Sequence, residues 1–172
     1  QALFGASVAT AGDVNGDGLL DIFVPDGGLD IGDNGGSTPK LALGTPTGFV
    51  DASARFAGMP TTRAHNGVLA DIDRNETLDA FVGGTSDGPK DKLPFLLLND
   101  GSGDFSRSPW IELPPGLYGS GWMVRVQNPD GTYVRPYPQS PGPSSIHLDS
   151  KAVDVNGDGY PDLVILQTQR QG

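Results

Sequence analysis

The chain has 172 residues and a formal net charge of −10, with 26 glycines, 15 prolines and no cysteine. Gly and Pro together take about a quarter of the positions, roughly twice average usage, which excludes a helical bundle, a coiled coil or a doubly wound α/β domain. The acidic balance disfavours nucleic acid and anionic membranes as partners and suits bound cations. No apolar run approaches the ~20 residues of a bilayer span, so membrane insertion is not expected.

The chain opens on Gln1-Ala2-Leu3-Phe4-Gly5 with no visible signal peptide, which reads as a mature form or a piece of something longer. Ser7-Val8-Ala9 then leads into Asp13-Val14-Asn15-Gly16-Asp17-Gly18-Leu19-Leu20-Asp21, followed by the apolar run Ile22-Phe23-Val24. Leu41-Ala42-Leu43 continues through a Gly-containing turn to Gly48-Phe49. The same order returns further on. Val68-Leu69-Ala70 precedes Asp71-Ile72-Asp73-Arg74-Asn75-Glu76-Thr77-Leu78-Asp79, then Ala80-Phe81-Val82. Phe95-Leu96-Leu97-Leu98 runs through Asn99-Asp100-Gly101-Ser102-Gly103 to Asp104-Phe105. Trp122 to Gln127 and Thr132 to Arg135 flank Asn128-Pro129-Asp130-Gly131, a hairpin by its turn chemistry and alternation. Lys151-Ala152-Val153 introduces a third copy, Asp154-Val155-Asn156-Gly157-Asp158-Gly159-Tyr160-Pro161-Asp162, and the run Leu163-Val164-Ile165-Leu166.

The repeated unit is strand, acidic loop, strand, with apolar runs of β-branched and aromatic types that suit buried strands. Asp13 to Asp71 is 58 positions and Phe49 to Phe105 is 56. A unit of about 57 residues holding four short strands is the size of a propeller blade. Asp71 to Asp154 is 83, so an insertion of 25 lies between Trp110 and Ser145. The expected architecture is all-β: a partial β-propeller of two full blades and the start of a third. The units are 1–60, 61–145 with the inserted hairpin at about 110–145, and 146–172.

The loops have the spacing of a metal site. Oxygens at positions one, three, five and nine, with a backbone carbonyl at seven, can wrap one hard cation. Calcium takes six to eight oxygens and tolerates irregular geometry; magnesium demands a tighter octahedron, and zinc would want His or Cys. The first loop offers Asp13, Asn15, Asp17, the Leu19 carbonyl and Asp21. The second offers Asp71, Asp73, Asn75, the Thr77 carbonyl and Asp79. The third offers Asp154, Asn156, Asp158, the Tyr160 carbonyl and Asp162. Up to three Ca²⁺ are therefore expected, and they would move the formal charge from −10 to −4. Gly16, Gly18, Gly157 and Gly159 allow positive φ at positions four and six. In the second loop Arg74 and Glu76 stand there instead, which points to it as the weakest site. Asp/Asn/Gly clusters also mark solvated turns, but three copies in phase tell against that reading. An EF-hand needs Glu at position twelve and flanking helices, whereas Val24, Val82 and Ile165 stand there.

Phe4-Gly5-Ala6-Ser7-Val8-Ala9 followed by Gly12-Asp13-Val14-Asn15-Gly16-Asp17-Gly18 resembles the FG-GAP repeat of integrin α-subunit heads. The other two copies resemble the related VCBS-type repeats of secreted proteins. The resemblance implies a propeller of four-stranded blades with calcium in the loop between the first two strands, and an extracellular or cell-surface location. Two histidines and no nucleophile elbow make no catalytic triad, so no enzymatic activity is expected, and the expected role is adhesion, assembly or ligand display. The alternative is a carbohydrate-binding propeller, either a lectin or the scaffold of a polysaccharide-degrading enzyme. Trp110, Trp122, Tyr133 and Tyr137 would then bind a glycan or partner protein, or else pack the hairpin onto its blade. His65 and His147 read as structural histidines, and Asn75-Glu76-Thr77 reads as a chance glycosylation sequon. A propeller closes with four to eight blades. The expected partners are therefore further blades, from a longer version of the protein or from neighbouring chains, unless the arc has some other cover.

Overall fold

The structure is a computed structural model and describes residues 9–27, 37–59, 63–85, 94–113, 126–127, 133–134 and 145–169. Its strands fall into a repeated order. The first sheet is an antiparallel meander of β1 (Ala9–Gly12), β2 (Asp21–Val24), β3 (Lys40–Thr45) and β4 (Gly48–Asp51). The second is the same meander of β5 (Arg63–Ala70), β6 (Asp79–Thr85), β7 (Phe95–Leu97) and β8 (Trp110–Glu112). A third sheet pairs β11 (Ser145–Val153) with β12 (Asp162–Gln169). Between them β9 (Val126–Gln127) pairs with β10 (Tyr133–Val134), the hairpin expected from Asn128-Pro129-Asp130-Gly131. Among the described residues there is no α-helix, and no helix is long and apolar enough to cross a membrane. Among the described residues no sheet closes on itself.

Each acidic loop joins the first two strands of its sheet. The register Gly12↔Asp21, Ala70↔Asp79 and Val153↔Asp162 closes all three loops at the same point. β5 and β11 run longer than their apolar runs, through Arg63–Asn66 and Ser145–Ser150, and both carry a register shift six positions before the loop's first residue, between Ala64 and Asn66 and between His147 and Asp149.

The sheets stack in chain order, and alternation along the strands decides which residue meets which neighbour. Between the first two sheets lie Val14, Phe23, Leu41 and Leu43 from one side and Leu69, Ala80, Val82, Phe95 and Leu97 from the other. Between the second and third lie Val68, Phe81 and Leu96, facing Ala152, Leu163 and Ile165. The second sheet is thus covered on both faces, which is why Ala80-Phe81-Val82 is apolar without a break. Phe23 and Phe81 are fully buried, and each contributes about 1.5–3 kcal/mol by burial. The approach is tightest at Gly12, where any Cβ would collide with Leu78 Cδ1 of the second sheet. A polar link also crosses the boundary between the second and third sheets: Ser150 Oγ donates to Asn66 Oδ1 at 2.8 Å, and both residues are buried.

Two details differ from the sequence reading. Phe49 lies in β4, whereas Phe105 lies in a 3-10 turn (Phe105–Arg107), so these two are not equivalent positions. Phe105 instead stacks on Phe56, the last residue of the 3-10 turn Ser53–Phe56, with ring centroids 4.9 Å apart and planes at 2°. Trp110, placed at the start of the insertion, begins β8 and is paired with Leu97. Ser7, Val8, Trp122 and Tyr137 fall outside the described residues.

Candidate metal centre

The three loops are built on one hydrogen-bond frame. The carboxylate at position one accepts the N–H groups of positions five and six. In the first loop Asp13 accepts from Asp17 (3.0 Å) and Gly18 (2.8 Å). In the second Asp71 accepts from Asn75 (2.9 Å) and Glu76 (3.0 Å). In the third Asp154 accepts from Asp158 (3.1 Å) and Gly159 (2.8 Å). The side-chain oxygen at position five then accepts the N–H of position seven: Asp17 from Leu19, Asn75 from Thr77, and Asp158 from Tyr160, at 2.8, 2.9 and 2.8 Å. These successive side-chain-to-backbone turns curl each loop back over its position-one carboxylate.

The curl needs positive φ at positions four and six. Gly16 and Gly18 sit at 73° and 83°, and Gly157 and Gly159 at 78° and 86°. Arg74 and Glu76 adopt the same conformation at 65° and 67°, which glycine would hold without strain.

The aspartate at position nine locks the loop to the sheet. Its Oδ2 accepts the N–H of position two: Val14 to Asp21 at 2.8 Å, Ile72 to Asp79 at 2.8 Å, Val155 to Asp162 at 2.9 Å. Oδ1 of Asp21 also accepts from Gly44 N–H, and Oδ1 of Asp79 from Asn99 N–H, both at 2.8 Å and both from the third strand's end. Asp21 and Asp79 are fully buried. Asp162 is half-buried, and the third-strand donor has no counterpart among the described residues of its sheet. Burial pushes the Asp79 carboxyl above its ordinary value, and nearby Asp73 adds to this against the Asn99 and Ile72 N–H groups. Asp158 is held below its ordinary value by the Tyr160 N–H and the Asn156 amide, with Arg74 assisting.

The second loop gathers Asp71, Asp73 and Asp79 so that one carboxylate oxygen of each lies within 4.8 Å of the others. Opposite ligands of a calcium ion stand about 4.8 Å apart, since each bond is about 2.4 Å. The three oxygens therefore fit around one ion. Among the described residues this is the one such group of three. In the first and third loops the acid at position five turns its Oδ2 to the neighbouring Asn amide, Asn15 to Asp17 at 3.0 Å and Asn156 to Asp158 at 2.9 Å. All three loops offer oxygen donors and neither His nor Cys, a set that suits a hard cation over zinc.

Asn99, in the turn after β7, is a connector. Its N–H serves Asp79, its Oδ1 accepts from Gly101 and Gly103, and its carbonyl accepts from Asn75 Nδ2 and Thr77 Oγ1. Its amide also donates to the Val14 carbonyl of the first loop at 2.8 Å. Arg74 reaches in the opposite direction and lies over the Tyr160 ring at 4.8 Å. The three loops therefore form one linked edge of the stack. A cleft of about 320 Å³ opens beside the second loop, bordered by Asp73, Asn75, Asp100, Asp104 and Arg107. No protein-family model matches the chain, and no curated protein matches it.

Proposed function

We propose that this chain is a calcium-stabilised segment of an extracellular β-propeller, without enzymatic activity, serving adhesion, assembly or ligand display. The observation that supports it is the recurrence of one loop frame at the same corner of three stacked sheets. In this reading the sheets are blades and β1, β5 and β11 are their inner strands; β5 lies against both others. Each loop would hold one Ca²⁺ through the residues at positions one, three, five and nine and the carbonyl of Leu19, Thr77 or Tyr160. The ion supplies positive charge where acidic oxygens converge. The residues hold the loop closed and clamp it to the sheet through Asp21, Asp79 and Asp162.

The carbohydrate-binding reading would use exposed aromatic platforms. Trp110 is half-buried and packs edge-on to Phe95 at 6.3 Å, so it does not favour that reading. A calcium-loaded chain applied to a glycan array is expected to give no sugar-specific signal. A thermal melt in calcium against excess chelator is expected to differ by several degrees, because an ion bound only to the native state stabilises it. Equal melts would remove the calcium reading, and a reproducible glycan hit would favour the lectin.

A further inference from the structure

We propose that the uncovered face of the third sheet is a docking surface for the first sheet of a second copy of this chain, joined head to tail. The inference rests on the stacked-blade part of the reading above and not on calcium.

In the first two sheets the residue at loop position two and the residue two after the position-nine aspartate face the next sheet. Val14 and Phe23 are 1% and 0% exposed there, and Phe81 is 0% exposed beside a half-buried Ile72. The equivalent residues of the third sheet are Val155 and Val164, and they are 66% and 47% exposed. Val153 occupies the position of Gly12, whose backbone lies against Leu78 of the following sheet, and Val153 is 49% exposed. Leu166, on the same face as Val164, is 59% exposed. Asp149 stands where Asn66 receives the next sheet's hydroxyl, and it is bridged to Lys151 at 3.7 Å. The third sheet therefore repeats the pattern that the first two cover, with nothing among the described residues covering it. An apolar face of this kind is an interaction surface.

The complement is present on the same chain. Leu78, at loop position eight, packs against the preceding sheet together with Ala80 and Val82. Its counterpart in the first sheet, Leu20, is 63% exposed, and Ile22 and Val24 beside it are half-exposed. One copy thus ends in the face that the other begins with. The contact would repeat the two internal sheet boundaries, and it is heterologous, since different surfaces meet.

The test is light-scattering mass at micromolar concentration for the wild-type chain, Val164→Asp, Leu20→Asp and their mixture. The expected wild-type mass is at least twice 17.9 kDa. Each single variant is expected to be a monomer, because every copy has lost one of the two faces. Mixed one to one, they are expected to form a dimer, since one intact face of each kind remains. Val155→Lys, at a more exposed position, is expected to behave as Val164→Asp does and guards against a variant that fails to fold. Hydrogen exchange at Ala80–Val82 on the same samples reads the internal stacking. A monomeric wild type with that segment protected overturns the docking and leaves the stacked sheets standing. A monomer without protection overturns both. A mixture that stays monomeric overturns the head-to-tail arrangement.

Discussion

The second acidic loop and its two siblings reach the same backbone from different residues. The first and third place glycine at both positive-φ positions; the second places Arg74 and Glu76 there at 65° and 67°. A left-handed conformation costs a non-glycine residue roughly 1–2 kcal/mol. The frame nevertheless forms, because the carboxylate at position one and the aspartate at position nine accept the same N–H groups in all three. Glycine lowers the cost of this geometry but does not dictate it. The second loop has offsetting contacts of its own: Arg74 over Tyr160, and Asn75 and Thr77 both tied to the Asn99 carbonyl. It is also the loop whose three carboxylates converge most closely.

The largest expected difference lies at position nine. Asp79→Ala would leave the buried N–H of Asn99 and the half-buried N–H of Ile72 without acceptors, a loss of about 2–4 kcal/mol in a denaturant melt. Asp21→Ala should cost about the same, by its bonds to Val14 and Gly44. Asp162→Ala should cost about 1 kcal/mol or less, since it accepts one bond and is half-exposed. Equal losses at all three would show that the third loop is braced as the others are.

Calcium comes next. Chelation is expected to remove about 2.7 kcal/mol per site from a chain held at a hundredfold excess over the dissociation constant. Backbone strain should follow, with the opposite sign in the two kinds of loop. Glu76→Gly is expected to stabilise the metal-free chain by about 1 kcal/mol, and Gly18→Glu to destabilise it by about as much. Gly18 has no atom near its missing Cβ, so that cost would be conformational alone. The smallest effect is the link between loops. A double-mutant cycle of Arg74→Ala and Tyr160→Leu should give a coupling of about 0.5–1 kcal/mol. A coupling near zero would leave the second and third loops independent.

The acidic frame was legible in the sequence because its chemistry is local. Side chains two to five positions apart bond the intervening backbone, so spacing alone specifies the turn. The two four-stranded sheets were legible for a similar reason, through apolar runs punctuated by Gly and Asp. Asn99 was not legible, since its bond to the Val14 carbonyl spans two sheets and leaves no periodic trace. The pairing of Phe56 with Phe105 was hidden because β4 precedes its 3-10 turn in the first sheet, while β8 follows its turn in the second. The length of β5 was also hidden: Arg63 to Asn66 pair through backbone groups, which residue type does not report.

The central claim is that the three loops hold one calcium ion each. It is tested most directly by calcium titration calorimetry of the chelated chain, run with Asp17→Ala, Asp73→Ala and Asp158→Ala beside the wild type. Three ions are expected for the wild type, two for each variant, and no replacement by magnesium at the same concentration. A wild type that takes up no calcium, or variants that bind as many ions as the wild type, would contradict it.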